Sequence, residues 1–228
     1  MDAHVNNQTS RQSFIEIIRR DLGTRQWQQL DKRIIRRFTH SHNSTKLRYL
    51  GVVHWVYCSP IGYLIGKLLR PFSLLPDRCA RNCQFEFVIS EKNSAIQKQR
   101  KYFLDNKGPF TFRSVFTDQP GLLEEFGGRL GMNLKLLVTR GALLFRDSNY
   151  FWAIARWRLP LPRWLTVGRF ELLHRSLDEH RFQVIIRIAH PLFGTLFYQR
   201  GVFFDILPDK ALTTAPVAVP TGHRFVPK

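Results

Sequence analysis

Between Gln119 and Leu207 the chain alternates apolar and polar residues with period two, and turn residues break the run at short intervals. The informative pieces read GLLEEFGGRLGMNLKLLV, YFWAIARWRLPLPRWL, GRFELLHRS and RFQVIIRIAHPLFGTLFYQRGVFFDIL. A two-residue period places alternate side chains on opposite faces, as in a strand with one buried face, and short breaks join such strands as hairpins. The pattern predicts strands at Leu122–Phe126, Met132–Val138, Ala142–Phe145, Tyr150–Leu159, Arg169–Ser176, Phe182–His190 and Leu196–Ile206. The inward sets read Met132, Leu134, Leu136 and Val138; Phe182, Val184, Ile186 and Ile188; and Leu196, Tyr198, Val202, Phe204 and Ile206. Pro160 and Pro162 cannot donate ladder hydrogen bonds, so LPLPRWL leaves the sheet as a corner or an edge crossing.

Upstream, the same reasoning predicts strands at Leu47–Tyr57, Gln84–Ser90, Ile96–Leu104 and Phe110–Thr117. In the last of these Phe110, Phe112, Ser114 and Phe116 share one face, while Thr111, Arg113 and Val115 point the other way. A turn at Asn106–Lys107–Gly108 joins it to the preceding strand. From Arg11 the spacing becomes helical: Phe14, Ile17, Ile18 and Leu22 recur at three and four residues, Ser10 caps the start and Gly23 ends the run. Thr24 opens a second helix carrying Trp27, Leu30, Ile34 and Phe38. Its polar face holds Lys32, Arg33, Arg36 and Arg37, a basic surface for water, an acidic groove or an anionic membrane.

About ten short strands in a meander expose two edges and an apolar face unless the sheet closes or is covered. The expected fold is therefore α+β and β-rich. It is an antiparallel meander of about ten strands, curved as a half-barrel or barrel around a helix, with one or two N-terminal helices. The natural filler is a helix opening at Pro60 with an apolar stripe of Ile61, Leu64, Ile65, Leu68 and Leu69. Residues 11–207 read as a single domain, between a flexible tail at 1–10 and a disordered one at 208–228 that is rich in Ala, Pro, Thr and Val.

Tyr49–Gly66 contains 18 residues without Asp, Glu, Lys or Arg, close to the length of a membrane span. Pro60 and three glycines interrupt it, so a strand followed by a helix accounts for it better. The net charge of +18 favours anionic partners: lipid headgroups, nucleic acid or acidic proteins. The N-terminus has no apolar signal segment, and Cys58, Cys79 and Cys83 make an odd count, which together predict free thiols in a reducing, cytoplasmic setting. Cys79 and Cys83, four apart, would share a helical face, yet they lack a second ligand pair for zinc.

Several short pieces carry a family resemblance. They are Leu75–Pro76, Phe112–Arg113–Ser114, Glu124 with Phe126–Gly127, Leu159 to Leu165, Arg181–Phe182, and Pro191 with Gly194 and Gly201. In these, over about residues 70–205, the chain resembles the bacterial family known as domain of unknown function 4166. Its members occur alone or C-terminal to saccharopine dehydrogenase-like reductases. The chain departs from the pattern at Arg158, where a glycine is usual, and at Gln99, where a tryptophan is expected. The resemblance implies a fold and a link to reductases, but no chemistry. The chain has no Gly-rich dinucleotide fingerprint of its own.

No nucleophile elbow or catalytic cysteine signature is present, and the histidines lie apart, so neither catalytic residues nor a metal site is assigned and no cofactor is expected. Strand arginines are the more informative signal: Arg113, Arg156, Arg158, Arg169, Arg187 and Arg200 either face water or, if inward, need a carboxylate or a ligand anion. The candidate ligand-binding set is Arg113, Ser114, Glu124, Arg156, Arg158, His174, Tyr198 and Arg200. The function these residues suggest is a binding module for a lipid-like or other hydrophobic anionic ligand, at work on a membrane surface. An enzyme or accessory domain to a reductase is the alternative. Nucleic acid ranks lower, because the aromatics and arginines come without an RNP, KH, zinc-finger or helix-turn-helix signature.

Overall fold

The computed structural model describes residues 14–40, 46–70, 79–92, 95–103, 109–118, 122–154 and 157–205. The two expected tails, the turn at 106–108, Leu75–Pro76 and Arg156 lie outside these residues. Eleven antiparallel strands follow one another: β1 (Lys46–Cys58), β2 (Ala80–Lys92), β3 (Ala95–Phe103), β4 (Pro109–Asp118), β5 (Leu122–Glu125), β6 (Leu130–Thr139), β7 (Ala142–Ile154), β8 (Trp157–Leu161), β9 (Arg169–Ser176), β10 (Arg181–His190) and β11 (Gly194–Asp205). Each pairs with the next through β7, and β11 returns to β1. The ring closes because β7 divides its length between two partners. Leu143–Arg146 pairs with β9, while Tyr150–Ile154 pairs with β8. The result is a closed barrel of ten strands with β8 as an extra strand, and closure removes the exposed edges that an open meander would carry.

Most expected strands are found within a few residues of their predicted ends. The predicted pair Ala142–Phe145 and Tyr150–Leu159 is instead one long strand, β7, followed by β8. Pro160 sits within β8, where its missing donor is harmless because β8 pairs only with β7. The chain then leaves the sheet through a 3-10 turn at Arg163–Leu165, as the prolines require.

Among the described residues three α-helices accompany the barrel: α1 (Phe14–Gln29), α2 (Lys32–His40) and α3 (Pro60–Leu68). Gly23 breaks α1 internally with φ 67°, the conformation that suits glycine. A second break falls at Leu30–Asp31, where Asp31 caps α2 by accepting from the Arg33 N–H at 2.8 Å. Ser59 caps α3 in the same manner, accepting from the Gly62 N–H at 3.0 Å, with Pro60 in the first turn.

The expected roles of the helices are exchanged. The filler is not α3 but the N-terminal pair, which buries Ile17, Ile18, Leu22, Leu30, Ile34 and Phe38 in the core. The Asp31 N–H donates to the Gly141 carbonyl at 3.0 Å, and the Val138 N–H donates to Gln26 Oε1 at 2.9 Å. These bonds seat the helices on the end of the barrel that carries the β6–β7 and β9–β10 turns. α3 packs on β11, with Ile65 and Leu69 partly buried against the core and Ile61, Leu64 and Leu68 exposed. A closed ten-strand ring already covers its own interior laterally, so only its ends need covering. Among the described residues no helix is long and apolar enough to cross a membrane.

Candidate functional site in the barrel interior

Inward side chains leave a cavity of about 90 Å³ beneath the α1–α2 cap. A buried water needs about 10–15 Å³ by the same measure, so the space exceeds a packing defect. Its wall is mainly apolar and rich in aromatic side chains: Phe14, Phe38, Tyr49, Phe85, Phe87, Phe116, Phe145, Phe170, Phe182 and Phe203. Ionisable groups enter at two places, and the neutral Gln199 lines the wall besides.

The first is a charged cluster on β3, β4 and β5. Glu124 is almost fully buried, and its Oε1 receives Lys98 Nζ at 2.6 Å, Arg100 Nη2 at 2.9 Å and the Ser114 hydroxyl at 2.6 Å. The Lys98 ammonium also sits 3.1 Å from the centroid of the Phe116 ring. Burial alone would raise the Glu124 carboxyl pKa, but Lys98 and Arg100 outweigh it and hold the group below its usual range. Burial pushes the Lys98 ammonium down to about 7, against the pull of Glu124. A carboxylate locked by three donors is poorly suited to trade protons. The cluster does hold two cationic side chains against one carboxylate, which suits it to receive a further anion.

The second polar place lies under the cap. His174 on β9 stacks on Phe182 at 4.7 Å and packs against Phe38 at 5.3 Å. Arg37 Nη1 lies 3.1 Å from its Nε2, and the Arg37 guanidinium covers the Phe182 ring at 4.4 Å. A guanidinium only donates, so Nε2 accepts and the imidazole proton resides on Nδ1. Burial, reinforced by the Arg37 charge, lowers the His174 pKa to about 3. Between that value and the ordinary one of 6.5 the unfolded chain binds a proton that the folded chain refuses. Stability therefore falls as pH drops through that window, by up to about 1.4 kcal/mol per pH unit. In urea titrations from pH 7 to 5, the wild type should lose more stability than His174→Gln, which keeps an acceptor for Arg37 but does not titrate. Equal losses would remove the assignment.

The candidate set divides accordingly. Ser114, Glu124 and His174 face the interior, with Glu124 and His174 lining one cavity. Arg113, Arg158, Tyr198 and Arg200 do not belong to it. Arg113 is exposed, and Arg158 lies 3.7 Å from Glu125 on the outer surface. Tyr198 and Arg200 face outward because β11 has the opposite parity from the predicted one: Phe197, Gln199 and Phe203 are the buried residues of the alternate set. β11 is apolar on both faces, so period two could not choose between them, and a shift of one residue exchanges every side chain. The inward polar residue, Gln199, is satisfied by the Tyr102 hydroxyl at 2.5 Å.

Sequence reasoning missed Lys98, Arg100 and Arg37. The signal for the first two lay in AIQKQRKYF, a strand with charged or amide residues on both faces that nevertheless pairs on both sides. Such a strand in a closed barrel must turn one polar face inward. Arg37, expected on an exposed basic face with Lys32, Arg33 and Arg36, is buried. Arg33 pairs instead with Asp31 at 2.7 Å, and Arg36 with Glu179 at 2.7 Å. The cysteines do not share a helical face either. Cys83 lies in β2, and Cys79 precedes it, accepting from the Cys58 N–H at 3.2 Å. Among the described residues no cluster of three or more His, Cys, Asp or Glu side chains is placed to hold a metal.

The chain is 24% identical over 123 residues to an uncharacterized protein, YndH, of Bacillus subtilis (strain 168). That match takes in 51% of this chain and 59% of the relative, so it spans little more than half of the relative's length. A family described as a domain of unknown function, DUF4166, matches residues 30–203, from the end of α1 to β11. That range takes in both polar groups of the cavity and most of the barrel, and the chain belongs to this family.

Proposed function

We propose that this barrel is a binding module for an elongated apolar molecule with an anionic head, of the kind a fatty carboxylate represents. The observation that carries the reading is the pairing of a largely apolar cavity, rich in phenylalanine, with one buried and one half-buried cation that share one carboxylate. Apolar cavities hold water weakly, so an apolar chain gains from entering, and a few placed charges set its orientation. On this reading the head lies at Arg100, the more accessible cation of the cluster, and the chain extends among the phenylalanines toward Phe182. Molecules of this class partition into bilayers, so the protein would work at a membrane surface.

Decanoate, followed by isothermal titration calorimetry and native mass spectrometry, tests the reading. Wild type should bind decanoate more tightly than decanol and show a negative heat-capacity change. Val184→Phe, which fills the cavity wall, should abolish binding of both. Arg100→Met should weaken decanoate by about tenfold, roughly 1.4 kcal/mol, while leaving decanol nearly unchanged. Failure of wild type to bind either compound, or indifference of binding to both variants, would remove the reading.

A further inference from the structure

The barrel end opposite the helical cap is built differently from the rest of the surface. β10 runs from the turn that meets Arg36 to His190, and β7 runs from Gly141 beside the cap to Ile154. The β10–β11 turn, the β7–β8 ribbon, the 3-10 turn and α3 therefore all gather at the far end. They present large apolar side chains to solvent: Leu192 and Leu68 are each 75% exposed, Trp164 68%, Leu64 67% and Trp157 64%, with Phe193 beside them. Direct contacts connect these pieces. The His190 ring stacks on Phe193 at 4.7 Å and reaches the Trp164 carbonyl at 3.3 Å. The Ser59 N–H, at the start of α3, donates to the Leu196 carbonyl at 3.0 Å.

The charges around this face point to one occupant. Residues 59–70, 125–129, 157–168 and 190–196 carry Lys67, Arg70, Arg129, Arg158 and Arg163 but one acidic residue, Glu125. At the capped end Arg33 pairs with Asp31, Arg36 with Glu179 and Arg181 with Asp178, whereas at the far end the pairs are Arg158 with Glu125 at 3.7 Å and Arg163 with the buried Asp147 at 3.5 Å, and Lys67, Arg70 and Arg129 add further positive charge. We infer that the end of the barrel formed by α3, the Trp157–Leu165 segment and the β10–β11 turn docks on an anionic membrane surface. Tryptophan and leucine settle at the headgroup level, while lysine and arginine meet lipid phosphates. A second copy of the same face would set one net-positive surface against another, which argues against a dimer built there. The inference deepens the ligand reading by naming the surface at which the exchange occurs, but it rests on independent residues.

Co-sedimentation with vesicles tests it, comparing phosphatidylcholine alone with phosphatidylcholine containing phosphatidylglycerol, at low and high salt. Wild type should bind only the anionic vesicles, with a blue shift of tryptophan fluorescence, and should weaken as salt rises. The triple variant Leu64→Gln/Trp164→Gln/Leu192→Gln changes exposed positions only. It should keep the wild-type unfolding midpoint and lose about tenfold or more in partitioning. Arg36→Gln, at the capped end, should bind vesicles as wild type does. Val184→Phe should also keep vesicle binding, so a failed cavity and a failed docking face give different results. The inference is overturned if wild type binds no vesicle, if the triple variant binds like wild type, or if sedimentation shows a dimer that the triple variant dissolves.

Discussion

Glu124→Gln should destabilise the protein by about 3–5 kcal/mol, measured as a shift in the chemical-denaturation free energy. The substitution conserves shape but removes the carboxylate that, among the described residues, pairs with Lys98 and Arg100, and a buried ion pair that loses one partner leaves an uncompensated charge. Lys98→Met/Glu124→Leu should cost less than the sum of its single variants, because the ammonium and its counter-charge leave together. The pH dependence has a definite sign. The folded-state pKa of Lys98 is lowered from 10.5 to about 7, so across that window the unfolded chain holds a proton that the folded chain has released. Stability then rises with pH from about 7 toward 10.5, and Lys98→Met should lack that rise. The Glu124 contribution runs oppositely at the acid end. Its folded pKa is depressed, so its stabilisation is present above 4.5 and disappears as pH falls below it. A Glu124→Gln variant within 1 kcal/mol of wild type would show that Lys98 and Arg100 find other compensation.

Gly168→Ala is the second large effect, on the order of 3–5 kcal/mol, from left-handed backbone strain added to overpacking. Gly168 has φ 96°, and a Cβ there would lie 2.4 Å from the Ala189 carbonyl oxygen and 2.6 Å from its carbon. Those atoms are backbone of β10, held in register with β9 by the Arg169↔Ala189 pairing, so no side chain can swing aside. Relief requires the start of β9 to separate from β10, close to where His190 meets Trp164. Gly194→Ala provides the control. It too has positive φ, but nothing lies within 4 Å of its Cβ, so it should cost only the backbone term, about 1–2 kcal/mol. Equal losses at the two positions would show that backbone conformation alone accounts for the effect.

Local pattern was enough to place most strands, the Ser59–Pro60 start of α3, the Gly23 break and the departure of the chain after Pro160. Each depends on a residue type whose backbone preference acts over a few positions. Ser114 and Glu124 were also within reach, since both fall in the pieces that carry the family resemblance, and they meet at 2.6 Å. Period two could assign the faces of β6 and β10 because one face of each is plainly apolar there. It failed on β11, where Leu196, Phe197, Tyr198, Val202, Phe203 and Phe204 offer an apolar set to either side.

What only the tertiary structure decided depends on contacts between residues far apart in the chain. Glu124 is 26 positions from Lys98, and Arg37 is 137 positions from His174, so neither pairing leaves a trace in local spacing. The choice of cap followed from closure. Once β7 pairs with β6, β8 and β9, the ring covers its own interior laterally, and α1–α2 bury Ile17, Ile18, Leu22, Ile34 and Phe38 in the core where α3 contributes only the partly buried Ile65 and Leu69. α3 then leaves Ile61, Leu64 and Leu68 in solvent, and on α2 Arg33 pairs with Asp31, Arg36 pairs with Glu179 and Arg37 enters the interior, while Lys32 stays exposed. Alternation along a strand determines that a face is buried. Which face, and against which charge, is set by the closed ring, because desolvated ions tolerate only those positions where a partner from another strand arrives.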